Sequence, residues 1–383
     1  MNWRIPLSDL AIGAEEVGGV VGVLKSKWLT MGEMAQRFEQ AFADYLGVKH
    51  AFAVSNATVA LHLANAAIGI GPGDEVVVPS LTFVATANAV KYTGAAPVFV
   101  DITSEADLGI SPAAIEAAIT PASRAITVMH YGGYPCDMPA INAIAHKHDL
   151  AVIEDAAHAP GAELDGRKAG TFGDVACFSF FSNKNLATGE GGMIVTDRDD
   201  LAERIRLMRS HGMTTLTWDR YKGHAHSYDV VTLGYNYRID EMRSALGLAQ
   251  LEKLERNNAL RRKIIDSYRA QLGKIEGLAI PFAKHRGTTA AHLFPIVLDT
   301  DVDRETFIEH MRQREIQTSI HYPPIHLFTY YRQQAGGNVP HLPVTEAIGR
   351  REVTLPLYPT MSAADVAYVV DSVKEAILAA RRA

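Results

Sequence analysis

The chain has 383 residues, of which 48% are hydrophobic and 21% are charged, enough for one large α/β domain and a smaller one. Its net charge of −6 argues against nucleic acid or an acidic membrane surface as a partner, because both attract basic proteins. With two cysteines, no signal segment and no long apolar run, we expect a cytoplasmic protein without disulfides or membrane spans.

Short apolar runs alternate with helical patterns between residues 51 and 196. The strand pattern occurs at Glu75–Pro79, Pro97–Val100, Ala125–Met129, Leu150–Asp155, Val175–Phe180 and Met193–Thr196. The helical pattern occurs at Thr58–Ile68, Val84–Tyr92, Pro112–Ile119 and Pro139–His148. The strands lack polar alternation, as strands buried on both faces of a parallel sheet do. This order predicts a doubly wound, mostly parallel α/β domain.

The last third of the chain has a different pattern. Residues from Asp240 to about Leu272 have apolar positions at helical spacing, which predicts one long helix. A strand at Leu293–Leu298 and helices near Arg304–Gln313 and from Ser362 to about Arg381 follow, and they predict a compact α+β domain. We therefore assign residues 1–250 to an N-terminal segment and the large domain, and residues 251–383 to the linking helix and the small domain.

Two charged residues lie at the ends of neighbouring predicted strands. Asp155 ends one strand, and Lys184 follows the next, beside a turn rich in glycine. Ligands of open α/β sheets bind beyond the carboxyl ends of the strands. A helix cap for Asp155 and a solvated surface lysine are the alternatives. Together, however, an amine and a carboxylate are what pyridoxal 5′-phosphate (PLP) requires, the first to bind its aldehyde and the second to keep its ring nitrogen protonated.

Other residues could bind the phosphate and ring of such a cofactor. Thr58 begins an apolar helix directly after Ser55 and Asn56, and helix N-termini bind phosphate. Ser179 offers a second hydroxyl, and Phe83 follows a strand where it could stack on the ring. An ordinary helix cap and a buried core phenylalanine are the alternatives for the helix start and for Phe83.

Nearly the whole chain resembles the DegT/StrS-type sugar aminotransferases, a branch of the aspartate-aminotransferase (fold type I) PLP enzymes. The matching segments are Trp28-Leu29-Thr30-Met31-Gly32, residues 55–64 (SNATVALHLA), residues 154–161 (EDAAHAPG), Lys184-Asn185, residues 188–192 (TGEGG) and residues 234–238 (GYNYR). The resemblance implies a large domain with a seven-stranded, mostly parallel or mixed sheet, a small α+β C-terminal domain, and a cofactor that alternates between PLP and its amine form.

The resemblance also implies the cofactor-binding residues. Lys184 would bind the cofactor covalently and move the proton, Asp155 would pair with the ring nitrogen, and His158 would lie beside the ring. The remaining cofactor contacts would be Ala57, Thr58, Phe83, Ser179 and, from a neighbouring subunit, Asn236. The chain departs from the family at Ala57, where glycine is usual, and at Asn183, where threonine or serine is commoner.

A keto sugar nucleotide and an amino acid donor, L-glutamate, are the partners that the resemblance implies, in a homodimer with shared active sites. His158, where glutamine also occurs in the family, favours a 4-keto-6-deoxy sugar. We expect substrate contacts from His326, Tyr322, Glu190, Arg238 and Trp218. No metal is expected, because His211, His224 and His226 lack a recognisable ligand spacing.

Three other functions compete with this interpretation. A sugar dehydratase of the same family has histidine in place of the lysine, and Lys184 argues against it. A non-catalytic regulatory protein would retain the fold without the chemistry, and the intact set of site residues argues against that. An aminotransferase acting on a cyclitol or another keto substrate is separated only by testing substrates.

Overall fold

The computed structural model describes residues 3–215, 223 and 227–381. Its main feature is a sheet of seven strands, whose order across the sheet is His50–Val54, Gly192–Thr196, Val175–Ser179, Ala151–Asp155, Ser123–Met129, Glu75–Pro79 and Ala96–Val100. Only Gly192–Thr196 runs antiparallel to its neighbours. The predicted mostly parallel or mixed sheet is therefore confirmed. The strand His50–Val54 is an addition to the six that the sequence predicts.

Helices cover both faces of this sheet, as neighbouring valines on one strand show. Val76 and Val78 pack into one apolar cluster with helix Ala57–Ile68, whereas Val77 packs on the opposite side with Met138–His148. Burial on both faces explains why the strand sequences are uniformly apolar. The other helices of this part are Ala14–Ser26, Glu33–Leu46, Ala85–Tyr92, Pro112–Ala118 and Asp199–Met208.

A smaller antiparallel sheet follows. Its strands are Leu278–Ala279, Phe294–Leu298 and Glu352–Leu355, with Phe294–Leu298 in the centre. Helices Arg304–Gln313 and Ala363–Ala380 pack against it, and Thr329–Gln334 and Pro343–Arg351 complete the domain. Two short ribbons lie elsewhere, formed by Ile102–Ser104 with Asp107–Ile110 and by Glu163–Leu164 with Arg167–Lys168. The α+β character of this part agrees with the sequence prediction.

One helix, Glu241–Leu272, connects the two parts, and the side chain of Asp240 caps its N-terminus by accepting a hydrogen bond from the backbone N–H of Arg243 at 2.9 Å. A boundary at residue 250 cuts through this helix. Asn258 donates to the carbonyl oxygen of Pro160 at 2.9 Å, and Arg261 donates to that of Leu357 at 2.7 Å. A single turn of the helix is thus bonded to both domains.

The first residues of the chain, which belong to the N-terminal segment, pack with the small domain. Ile5 is fully buried in the small domain's apolar core and exchanges backbone hydrogen bonds with Glu315 and Gln317 at 3.1 and 2.9 Å. An apolar residue so near the terminus can be buried against any segment whose backbone groups are free to pair with it. The order of residues along the chain does not indicate which segment that is. Among the described residues, no helix combines the length and the apolar character needed to cross a bilayer.

Gly192 sets the distance between the sheet and the start of helix Ala57–Ile68. A Cβ atom at this position would lie 2.7 Å from the carbonyl carbon of Asn56 and 2.8 Å from the nitrogen of Ala57. Real Cβ atoms do not approach backbone this closely, so only glycine allows the helix start to touch the strand. The glycine-rich turn after Lys184 therefore has a packing function.

We expect Gly192→Ala to displace the helix start and to cost about 1–3 kcal/mol of unfolding free energy, the usual penalty of overpacking. Cofactor affinity should fall with it, because the phosphate would bind at that helix start. Thermal unfolding and cofactor titration measure both effects. The control is Gly18→Ala, where the added methyl meets nothing within 4 Å on an exposed helix; it should stabilise the protein by about 1 kcal/mol. Unchanged cofactor affinity in Gly192→Ala would contradict this role.

Candidate active site

Asp155 is a buried carboxylate at the end of a central strand. Only 3% of the residue is exposed, and its carboxylate accepts hydrogen bonds from the hydroxyl of Thr86 at 2.7 Å and from the backbone N–H of Ala157 at 3.2 Å. Burial raises the pKa of Asp155, while these hydrogen bonds and the positive charge of Lys184 act in the opposite direction. Asp155 is thus an acid that can stabilise a positive charge in the cleft beyond the carboxyl ends of the parallel strands.

Lys184 lies near Asp155 as a half-buried side chain. Burial lowers the pKa of its amine to about 8, and the charge of Asp155 only partly offsets this effect. Its amine forms no hydrogen bond or ion pair with any other residue in the described parts of the chain. At pH 7 roughly a tenth of such an amine is neutral and nucleophilic. Lys184 therefore has the properties of a reactive lysine.

His158 lies beside these two residues as a neutral imidazole. Its Nδ1 accepts a hydrogen bond from the backbone N–H of Gly132 at 3.3 Å, so the ring proton is on Nε2. Nε2 then donates to the hydroxyl oxygen of Tyr322 at 3.1 Å, which leaves the tyrosine proton free. Burial, together with the positive charge of Lys184, lowers the pKa of His158 well below its ordinary value.

Two aromatic rings border the cleft from opposite domains. Phe83, from the large domain, is 54% exposed, although the usual place of such a side chain is the core. Its ring centroid lies 5.9 Å from that of Tyr322, which belongs to the small domain. An exposed phenylalanine at a strand end is available to stack on a planar ligand. The alternative of a buried core residue is thereby removed for Phe83.

The start of helix Ala57–Ile68 presents free backbone donors. Asn56 caps the helix by accepting from the N–H of Val59 at 3.0 Å. The N–H groups of Ala57 and Thr58 have no acceptor among the described residues, as expected for the first turn of a helix. Ser179 lies two strands away, at the end of Val175–Ser179, opposite Gly192. These groups can bind a phosphate.

Several expected substrate contacts lie at the edge of this cluster. The segment that contains Asn236 and Arg238 continues the sheet beside strand His50–Val54, where Arg238 donates to the hydroxyl of Ser210 at 3.0 Å. Asn236 is exposed, and so is Glu190 in the glycine-rich turn. Trp218 lies outside the described residues.

His326 is the candidate that the structure separates from the cleft. Its side chain is 0% exposed, and Nδ1 lies 2.6 Å from the hydroxyl of Ser80, with the carboxylate of Glu346 at 3.5 Å from Nε2. In this position His326 fastens the small domain to the end of strand Glu75–Pro79 and cannot contact a ligand. Residues 321–326 (HYPPIH) form a short motif that resembles the family's loop near the sugar nucleotide, and this motif predicts a substrate contact. The burial of His326, however, depends on Ser80, which is distant in sequence.

Sequence reasoning missed three polar residues of the cleft. Thr86 orients Asp155, the ring of His292 lies tilted at 45° with its centroid 4.4 Å from that of His158, and His321 hydrogen-bonds to Thr354. His292 is fixed from behind, because its Nδ1 donates to the side-chain oxygen of Asn185 at 3.0 Å. Thr86 lies one helical turn after the strand-end segment that contains Phe83. This spacing was the only feature of the sequence that could have indicated Thr86 as a site residue.

Comparisons with known proteins show which enzyme family has a site of this kind. The model of the DegT/DnrJ/EryC1/StrS aminotransferase family matches residues 10–374. The chain belongs to this family. It is 42% identical to the spore coat polysaccharide biosynthesis protein SpsC of Bacillus subtilis over 381 residues, covering 98% of each protein.

Solved structures of similar aminotransferases agree with the membership. PseC of Helicobacter pylori, an aminotransferase involved in the biosynthesis of pseudoaminic acid, superposes with a TM-score of 0.92 at 29% identity, covering 98% of this chain and 99% of that one. The PLP form of the sugar aminotransferase Spr1654 of Streptococcus pneumoniae gives 0.90 at 26% identity, covering 98% and 99%. This family member is thus a PLP-dependent aminotransferase with the type I fold, and transamination in amino-sugar biosynthesis is its family's activity.

The residues of this chain fit the cofactor. The unpartnered amine of Lys184, the buried acid Asp155 and the free N–H groups of Ala57 and Thr58 match its aldehyde, ring nitrogen and phosphate respectively. When bound, PLP supplies an aldehyde that joins amines covalently and a protonated ring that accepts electrons. Within the described ranges, no three His, Cys, Asp or Glu side chains gather as a metal site.

We expect Lys184→Ala to abolish the absorbance of the lysine-bound cofactor and to lower turnover by at least about 10²–10⁴-fold, the contribution of a positioned general base. Lys168→Ala is the matched control, because Lys168 pairs with Glu163 at 3.3 Å outside the cleft. Visible spectra and steady-state rates measure the two effects. Full activity of Lys184→Ala would refute the assignment.

Thr86 offers a milder perturbation of the same site. Replacement by valine removes a hydrogen bond to the ionised form of Asp155, so the pKa of Asp155 should rise further and its support of the ring nitrogen should weaken. A hydrogen bond to a charged group is worth about 1.5–3 kcal/mol, so we expect roughly a tenfold or larger loss of kcat. Thr86→Ser should restore most of it. Equal rates for valine and threonine would show that Thr86 has no such role.

Proposed function

We propose that this aminotransferase moves an amino group from L-glutamate to a keto sugar nucleotide, of the 4-keto-6-deoxy type. The observation that carries the proposal is the unpartnered amine of Lys184, held at a pKa of about 8 beside the buried carboxylate of Asp155. The naming of SpsC as a polysaccharide biosynthesis protein and of PseC as a pseudoaminic acid enzyme supports a sugar acceptor.

Each protein residue has a distinct part in this reaction. Lys184 would move a proton in both stages. In the first it would pass the proton of the donor's α-carbon to the bound cofactor, and in the second it would carry a proton from the cofactor to the former keto carbon of the sugar. Asp155 keeps the proton on the cofactor ring nitrogen, and Thr86 orients Asp155. Phe83 would cover one face of the ring and exclude water from it. His158, uncharged, adds no positive charge that would compete with Lys184 for a proton.

The sugar nucleotide would bind at the outer end of the cleft. Tyr322 is the best-supported contact, because its hydroxyl proton is free to donate to the substrate. We propose Glu190, Arg238 and Trp218 as further contacts. The exposure of Asn236 suits a residue that reaches the phosphate of a second subunit's cofactor, in a homodimer with shared sites.

The test has two stages that follow the two half-reactions. Adding L-glutamate to the purified PLP enzyme should convert its spectrum to that of the amine form, because the donor leaves its nitrogen on the cofactor. A panel of keto sugar nucleotides should then restore the first spectrum and yield an amino sugar, identified by mass.

The outcomes separate the rival functions. A colourless, unresponsive protein would refute the enzymatic proposal and favour a regulatory role. Conversion by glutamate, followed by amination of a cyclitol or another keto compound instead of any sugar nucleotide, would replace the acceptor and leave the donor chemistry intact.

A further inference from the structure

Glu352 is a glutamate buried in the core of the small domain, and the transamination chemistry described above does not use it. It begins strand Glu352–Leu355, is 0% exposed, and lies opposite Val297 of the central strand. Buried carboxylates are rare unless they are paired. Arg304 does not neutralise it through a salt bridge, because the guanidinium donates to the carbonyl oxygens of Gly349 and Glu352 at 2.6 and 3.4 Å.

The hydrogen bonds of Glu352 point towards the active-site cleft. Oε2 accepts from the backbone N–H of His321 at 2.7 Å, and Oε1 accepts from the hydroxyl of Thr354 at 2.5 Å. The same hydroxyl lies 2.8 Å from Nδ1 of His321. The carboxylate, the hydroxyl and the imidazole thus form a continuous chain of hydrogen bonds.

The cleft end of this chain is Nε2 of His321. No described residue hydrogen-bonds to this nitrogen, and the residue is 9% exposed. Burial and the nearby charge of Lys184 lower the pKa of His321 to about 4, so the ring is neutral and carries one proton. The hydrogen-bond chain decides which of its nitrogens carries that proton.

The two charge states of Glu352 require opposite arrangements. A hydroxyl has one proton to donate. When Glu352 is ionised, Thr354 donates to it, and the hydroxyl oxygen accepts from a protonated Nδ1, which leaves the lone pair of Nε2 facing the cleft. When Glu352 is protonated, the proton lies on Oε1, because Oε2 already faces the N–H of His321. Oε1 then donates to Thr354, Thr354 donates to Nδ1, and the ring proton is on Nε2.

We propose that Glu352 is a positioning residue that acts through Thr354 to set whether Nε2 of His321 donates or accepts a hydrogen bond in the cleft. The proton count balances: one proton arriving at Nε2 moves the Nδ1 proton to Thr354 and the Thr354 proton to Glu352. His321 can therefore take up or release a proton without becoming charged. Its effect on amination of the sugar rests on the proposed function, whereas the relay itself does not.

The range in which the switch operates follows from the surroundings of Glu352. Burial raises the pKa of Glu352 to about 8, although the hydrogen bonds from Thr354 and His321 and the positive charge of Arg304 act to lower it. Tyr131, which donates to the carbonyl oxygen of His321, and Tyr322 also face this region, but burial raises the pKa of both, and they stay uncharged. His158 and His292 also face His321, and they stay neutral because burial lowers the pKa of each well below its ordinary value. Among the described residues, Arg304 and Lys184 are thus the charged groups that influence the switch.

The direct test is the tautomer of His321 in the PLP-loaded enzyme, observed by two-bond ¹H–¹⁵N correlation with ¹⁵N-labelled histidine and assigned with His321→Gln. In the wild type, the proton should be on Nε2 below pH 8 and on Nδ1 above it. Glu352→Gln should keep it on Nε2 throughout, because the amide oxygen still accepts from the His321 N–H and the amide NH₂ can only donate to Thr354. Thr354→Ser should switch as the wild type does, and Thr354→Val should not.

Two further measurements separate a relay from a merely structural role. The pH profile of amination by the amine-form enzyme should reflect both Lys184 and Glu352 near pH 8 in the wild type. In Glu352→Gln it should become shallower and keep only the contribution of Lys184, with KM for glutamate unchanged. Wild-type Glu352 binds a proton on folding between its ordinary pKa of 4.5 and about 8, so wild-type stability should fall as pH rises through this range. The variant should lose the part of this fall that Glu352 contributes, and its cooperative unfolding transition would establish that it folds.

The outcomes are distinguishable from those of the function test. A His321 tautomer that responds to pH identically in Glu352→Gln and in the wild type would overturn the relay, as would a charged His321 near neutral pH. If the tautomer switches as expected but no keto sugar nucleotide is aminated, the relay stands and the proposed acceptor falls.

Discussion

The active site depends on two opposite charges placed in a region from which water is largely excluded. Desolvation alone would neutralise both Asp155 and Lys184, since it raises the pKa of the acid and lowers that of the amine. Each partly restores the charge of the other, and the hydrogen bond from Thr86 favours the ionised acid. At neutral pH about a tenth of the amine is therefore neutral, so the group is close enough to its titration range to accept and return a proton.

The topology of the sheet explains why these groups meet. Asp155 and Ser179 end two neighbouring parallel strands, and Lys184 follows the second of them, so the chain presents all three at one edge. The antiparallel strand Gly192–Thr196 then returns beside them and, because it begins with glycine, lets the helix start at Ala57 approach closely. The phosphate donors and the reactive amine are thus positioned by the same segment of chain.

The parts that could be predicted from the sequence are those that local patterns determine. Apolar periodicity and chain order predict the strand ends with Asp155 and Lys184, and they place the start of the phosphate-binding helix at Thr58, one residue after its observed start. His326 and His321 could not be told apart in this way, because both belong to one short motif. Their environments differ through remote residues: Ser80 buries the first, and Thr354 orients the second towards the cleft. Burial of the N-terminal Ile5 in the small domain depends on equally distant partners.

The long helix Glu241–Leu272 has a consequence for how substrates enter. Asn258 and Arg261 occupy adjacent positions of one turn and are bonded to backbone carbonyls on opposite sides of the cleft. Burial lowers the pKa of Arg261 to about 10, so its bond to Leu357 replaces hydration that the guanidinium has lost. If one domain rotated away from the other, the guanidinium of Arg261 would be left without either water or the carbonyl oxygen that now accepts its hydrogen bond. Opening the cleft by rotation of the domains would thus break at least one of these two hydrogen bonds, so the helix opposes this route of substrate entry.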